Sequence, residues 1–135
     1  MSDLHTNLTL HSNPDNVSKL QPFIHDVATR YNLSPDIHGN ILISLTEAVT
    51  NAILHGNQAD DNKCVSISLR RQKDALSIRV SDEGPGFDPN CIPDPTTSEC
   101  LEKCGGRGLF LMRHLSDECK FIRNGSTVEM RFKLD

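Results

Sequence analysis

The chain is 135 residues long, with 36% hydrophobic and 24% charged residues, a length and balance that fit one folded domain and exclude a disordered chain. Fourteen Lys and Arg against eighteen Asp and Glu leave a net charge of −4, which argues against a broad nucleic-acid or anionic-membrane surface. No apolar run approaches the ~20 residues of a spanning helix, and the opening MSDLHTNLTLHS has neither the basic start nor the apolar run of a signal peptide, so a cytoplasmic protein is expected, with no membrane and no direct nucleic-acid partner.

Leu4, Leu8 and Leu10 share one side of a period-two pattern, which predicts a first strand over residues 4 to 11. Ser12-Asn13-Pro14-Asp15 is a turn or a helix start. Val17, Leu20, Ile24, Val27, Ala28 and Tyr31 recur at helical spacing, and Pro22 inside that run predicts either a kink or a true start nearer Gln21. Ser34-Pro35 opens a second helix, because serine caps free amides and proline suits the first helical position. Ile37, Ile41, Leu45, Ala48, Val49 and Ala52 form its apolar stripe, Gly56 stops it, and NQADDNK (57–63) reads as a polar loop.

Val65, Ile67 and Leu69, then Leu76, Ile78 and Val80, alternate with polar residues, predicting two adjacent strands around a turn near Gln72–Asp74. Residues 83 to 106 hold four prolines and four glycines with little apolar periodicity, and a loop of that length in a compact domain is usually functional. Helical spacing resumes from Gly108 to Leu115. The chain closes on Lys120–Arg123, an Asn124-Gly125 hairpin signal, and Val128, Met130, Phe132 and Leu134 in alternation. Antiparallel hairpins set apart from helices predict an α+β fold, a two-layer sandwich with a mixed, mostly antiparallel sheet and helices on one face, forming a single domain over 1–135. Five cysteines, Cys64, Cys91, Cys100, Cys104 and Cys119, are odd in number; Cys100 and Cys104 are four apart, but no CxxC pair or second cluster joins them, so free thiols are expected.

Three clusters can carry chemistry. Glu47, Asn51 and His55 are spaced by four on the second helix and form one polar ridge, on which a carboxylate can take a hydroxyl proton and an amide oxygen can ligate Mg²⁺. The same ridge also reads as a solvated helix face. Asp82-Glu83-Gly84-Pro85-Gly86-Phe87 follows a strand directly; its glycines allow close approach of a planar ligand and its carboxylate can accept from an exocyclic amine, although a simple turn has the same composition. Gly105-Gly106-Arg107-Gly108-Leu109 enters the last helix, where unobstructed N–H groups form an anion site and Arg107 and Lys103 can add charge, or where the glycines simply make a hinge.

In their order and context these motifs resemble one family. TEAVTNAILHGN is similar to the N box, SDEGPGFDP to the first glycine box and GGRGLFLM to the second glycine box of the GHKL (Bergerat-fold) ATPases. Within that superfamily the small size, E-A-V-T-N-A-I-x-H-G and G-x-G-L-F-L-M resemble the anti-sigma-factor serine/threonine kinases. The resemblance implies ATP and Mg²⁺ as cofactors, with Asn51 on the metal and Glu47 as the catalytic carboxylate facing the acceptor hydroxyl. It implies Asp82 as the adenine-amine acceptor, Gly84 and Gly86 shaping the base pocket, His55 at the nucleotide, and Gly105, Gly106 and Gly108 with Leu109 cradling phosphate at the hinge of an ATP lid over about 89–106.

It further implies a Mg-ATP-dependent protein serine/threonine kinase that holds a sigma factor and phosphorylates a STAS-type antagonist, with a homodimer also within the family's habits. Cys104 stands where some of these kinases carry an arginine, with Lys103 beside it and Arg107 inside the box as basic neighbours. A nucleotide-gated binding module without kinase activity is the alternative. The catalytic half of a histidine kinase is disfavoured, because Leu4–Asn32 supplies one strand and one helix instead of a phospho-acceptor helix pair. Thr96-Thr97-Ser98 lie in the expected lid without an assigned role.

Overall fold

The computed structural model describes residues 4–84, 106–122 and 126–134. Strand β1 (Leu4–His11) leads through a 3-10 helix (Pro14–Lys19) into α1 (Leu20–Arg30). Pro22 is the third residue of α1, where its missing N–H is one of those that have no partner in any helix, so the helix starts next to the proline and is not kinked by it. The stripe predicted from Val17 onward is therefore shared between two elements: Val17 lies in the 3-10 helix, while Leu20, Ile24 and Val27 are the buried residues of α1.

Helix α2 (Pro35–Asn51) begins as its sequence predicts. Ser34 is the N-cap, with Oγ accepting from Ile37 N–H at 3.4 Å, and proline occupies the first turn. Strands β2 (Cys64–Gln72) and β3 (Ala75–Ser81) join through a tight turn in which Lys73 has φ 50°. Helix α3 (Gly106–Leu115) is followed by β4 (Glu118–Ile122) and β5 (Thr127–Lys133). The Asn124-Gly125 turn signal lies outside the described residues.

The sheet order is β1-β2-β3-β5-β4. A mixed, mostly antiparallel sheet was the expectation; all four pairings described are antiparallel. Because side chains alternate across a strand, one face of this sheet is apolar and the other polar. Val65, Ile67, Leu69, Ile78, Val80, Met130 and Phe132 are buried in a single core with Ile24 and Val27 of α1, Ile41, Leu45 and Val49 of α2, and Met112 of α3. Each such Ile or Leu contributes roughly 1.5–3 kcal/mol by leaving water, which is why this one face gathers α1, α2 and α3. No helix among the described residues is long and apolar enough to cross a membrane. Cys64 and Cys119 are free thiols, and burial pushes the Cys119 thiol up to about 11.

Candidate functional site

The apolar stripe of α2 turns its opposite edge away from the core, leaving Glu47 and Asn51 half-buried on the polar side. Continuous α-helix up to Gly56 was the expectation. Instead α2 ends at Asn51 and the chain continues as a π turn over Ala52–Gly56, closed by Asn57 N–H donating to Ala52 C=O at 2.8 Å. Wide turns of this kind are rare and concentrate at functional sites. His55 is carried by the turn and is exposed, whereas Ala52 and Ile53 keep it seated in the core.

Asn57 holds the far end of that turn. Placed in a polar loop by its sequence neighbours, it is only 1% exposed. Its Nδ2 donates to Ser12 Oγ at 2.6 Å and to Cys64 C=O at 3.0 Å, and its Oδ1 accepts from Glu83 N–H at 2.7 Å. Glu83 returns the contact through Oε2, which accepts from Cys64 N–H at 2.5 Å. One carboxamide thus ties together the end of β1, the start of β2 and the segment after β3. It has both donors and an acceptor to do so, which no other side chain but glutamine supplies in that form. The signal present in the sequence was an asparagine set immediately after the helix-stopping Gly56, within the resembling TEAVTNAILHGN segment but without a role.

The clamp brings Gly56 against Asp82 and Gly84. A Cβ on Gly56 would sit 2.2 Å from Asp82 Oδ2, and one on Gly84 would sit 1.8 Å from the Gly56 carbonyl oxygen. Neither contact is possible for a side-chain-bearing residue, so both positions need glycine for close approach. Gly56 was expected only to end a helix; it also packs against Asp82 and Gly84. Asp82 is fixed by its own N–H donating to Ser126 C=O at 2.9 Å and by its Oδ1 accepting from Gly84 N–H at 2.8 Å. Burial raises its carboxyl above the ordinary aspartate value, partly opposed by the Gly84 N–H and the Lys63 charge. Alongside it the Ser81 and Thr127 hydroxyls are 3.0 Å apart, joining β3 to the start of β5.

Helix α3 lies against α2, and its first turn holds Gly106, Arg107, Gly108 and Leu109. Gly86, Lys103, Cys104, Gly105 and the Thr96–Ser98 run lie outside the described residues, as does the expected lid apart from Gly106, which already belongs to α3. Two observations show groups left uncommitted by the fold. Asn51 Nδ2 is buried without a hydrogen-bond partner, so the fold makes no use of that amide group, and an amide oxygen is a hard ligand of the kind Mg²⁺ takes alongside phosphates and water. The Gly56–Gly84 contact sets bare backbone beside a half-buried carboxylate, and a carboxylate so placed is an acceptor suited to the amine of a planar base. The residues present therefore fit a metal-nucleotide complex.

Residues 10–132 match the histidine kinase-like ATPase domain family. Among curated proteins the chain is similar to "Serine-protein kinase RsbW" of Bacillus subtilis (strain 168), at 33% identity over 85% of this chain and 75% of that protein. It is also similar to the protein of the same name from Listeria monocytogenes serotype 4a (strain HCC23), at 30% identity over 96% of this chain and 88% of that one. Among solved structures, that of the RsbU and RsbW domains of a Mycobacterium tuberculosis protein contains this fold over about one third of its length, with a TM-score of 0.66 at 15% identity over 99% of this chain.

Proposed function

The chain belongs to the histidine kinase-like ATPase domain family, among its serine-protein kinases, and from that premise we propose that it is an anti-sigma regulatory kinase that uses Mg-ATP to phosphorylate a serine or threonine of a STAS-type antagonist and that sequesters a sigma factor. What carries the proposal is the meeting of the α2 end with the strand end: Gly56 against Asp82 and Gly84, with Asn51 one turn before.

In this mechanism the Asp82 carboxylate would accept from the adenine amine, beside the backbone contact between Gly56 and Gly84. The Asn51 amide, unpartnered in the fold, would hold Mg²⁺ through its oxygen. When bound, the metal neutralises phosphate charge, so that transfer needs little from the protein beyond positioning. Glu47, one helical turn before Asn51 and half-buried, orients the acceptor hydroxyl and takes its proton at the carboxylate. The first turn of α3, with Gly106, Arg107 and Gly108, supplies N–H groups at a helix N-terminus where phosphate charge is favoured.

The test is transfer of label from ATP to candidate antagonist proteins, run beside ATP binding by the same protein. Glu47→Ala should abolish transfer while largely sparing ATP affinity. Transfer retained in Glu47→Ala would remove the base assignment. ATP binding by the unaltered protein without transfer to any antagonist would instead identify a nucleotide-gated binding module.

A further inference from the structure

The sheet face turned away from α1, α2 and α3 holds a shallow hollow of about 500 Å³. Arg70, Arg79, Lys120 and Arg131 line it together with Glu118 and Glu129, four cations against two carboxylates. The hollow is therefore net positive on a chain whose total is −4. The strand registry sets the charges in two rows. Arg79 pairs across to Glu129, which pairs on to Lys120; Ser77, beside Arg70, pairs across to Arg131, which pairs on to Glu118.

The ion pairs within the rows hold the arginines in place. Glu129 accepts from Arg79 Nε at 2.6 Å and stands 3.8 Å from Lys120 Nζ, while Arg131 Nη1 reaches Glu118 at 3.2 Å. In the first row the carboxylate lies underneath: the Glu129 side chain is 23% exposed, against 52% for Arg79 and 64% for Lys120. A surface approaching this row therefore meets cations first. Glu129 takes Arg79 through Nε, and the Arg79 side chain is 52% exposed, so its Nη groups, which that contact does not use, suit a carboxylate in bidentate fashion.

We propose that this open face of the sheet docks a carboxylate-rich surface of a protein partner. Charge complementarity selects the occupant. A second copy presenting the same face would set one net-positive hollow on another, which is repulsive. A nucleic-acid strand binds through about six to ten phosphate contacts, more than the four cations gathered here supply. An acidic protein surface matches the cations and is steered to them by the contrast with the rest of the chain. The helices and Asp82 occupy the other side of the sheet, so docking here leaves the nucleotide site open, and the inference stands whether or not the chain transfers phosphate.

Fluorescence anisotropy with the full chain tests it, using a labelled alternating Glu-Ala peptide, its Gln-Ala counterpart and a single-stranded DNA of equal charge. The Glu-Ala peptide should bind about tenfold or more tightly than the Gln-Ala peptide, and added salt should weaken it. Arg79→Gln with Arg131→Gln should weaken the acidic peptide by about fivefold or more with ATP affinity unchanged. Lys120→Gln, removing a cation that is 64% exposed and 3.8 Å from Glu129, should weaken it in the same direction without endangering the fold. Equal binding of both peptides, full binding by the variants, tighter binding of the DNA, or a dimer in sedimentation that these substitutions dissociate would each overturn the proposal.

Discussion

Asn57 Oδ1 accepts from Glu83 N–H at 2.7 Å, and this bond sets the distance between the end of the α2–π-turn segment and the loop that carries Asp82. Asn57→Ala removes it together with the bonds to Ser12 and Cys64, stranding groups in a buried setting. A buried donor or acceptor left unpaired costs about 1–3 kcal/mol, and part of that is recovered by relaxation, so the variant should lose about 2–4 kcal/mol. Urea denaturation measures this, and calorimetry should find ATP affinity reduced as well, because the Asp82 loop is no longer held. Stability equal to that of the unaltered chain would show that the clamp is unimportant.

The glycines divide sharply by position. Gly39, in the interior of α2, has nothing within 4 Å of a built Cβ, and Gly39→Ala should stabilise the chain by about 0.5–1 kcal/mol through helix propensity. Gly84→Ala forces a methyl onto the Gly56 carbonyl and Gly56→Ala forces one onto Asp82. Those two variants should lose more than about tenfold in ATP affinity, equivalent to roughly 1.4 kcal/mol. Thermal melts with and without ATP separate the three: one variant rises in Tm with its ATP shift intact, and the other two lose the shift.

Burial holds the Asp82 carboxyl above its ordinary range, and the sign of that shift has a consequence for stability. A carboxylate whose folded value exceeds its unfolded value near 3.8 costs stability once both states are ionised, and the cost disappears as pH falls through the folded value, where the folded state takes up its proton first. Asp82→Asn removes the charge. It should therefore raise Tm at neutral pH, with the gain shrinking as the pH is taken down toward 4. The same variant should bind ATP more than about tenfold less well, since a hydrogen bond to a charged group contributes roughly 1.5–3 kcal/mol. A variant less stable at neutral pH, or one that binds ATP normally, would contradict the assigned role.

Much of this was legible in the sequence, for identifiable reasons. Ser34-Pro35 names a helix start because a side-chain oxygen and a preset φ act within a few residues of each other. The β2 and β3 strands follow from strict alternation, since one face had to be buried. The wide turn at 52–56 was not legible: Ala52, Ile53, Leu54 and His55 suit an ordinary helix, and the turn opens because Asn57 is anchored by Ser12, Cys64 and Glu83 from three distant segments. Gly56 was read through its local effect, ending a helix, when its decisive contact is with Asp82, 26 positions later. The charge of the open sheet face was equally hidden, because Arg79, Glu129 and Lys120 become neighbours only once β3, β5 and β4 are in register.

Asn51 offers a test of the metal that does not depend on catalysis. Its Nδ2 is buried and unpartnered, so the fold gains nothing from the amide, and an unpaired buried polar group is a burden on stability. Asn51→Ala removes that group and puts a better helix former at the end of α2, so the nucleotide-free variant should melt at or above the Tm of the unaltered chain. With nucleotide the order should reverse. A ligand at a hundred times its Kd adds about 2.7 kcal/mol, and for the unaltered chain Mg²⁺ with ATP should give a larger rise than ATP with a chelator. In Asn51→Ala that difference should vanish, leaving only the metal-independent part contributed by the adenine contact proposed for Asp82. A lower Tm without nucleotide would mean the amide is structural, and an undiminished Mg²⁺ effect would place the metal on other ligands.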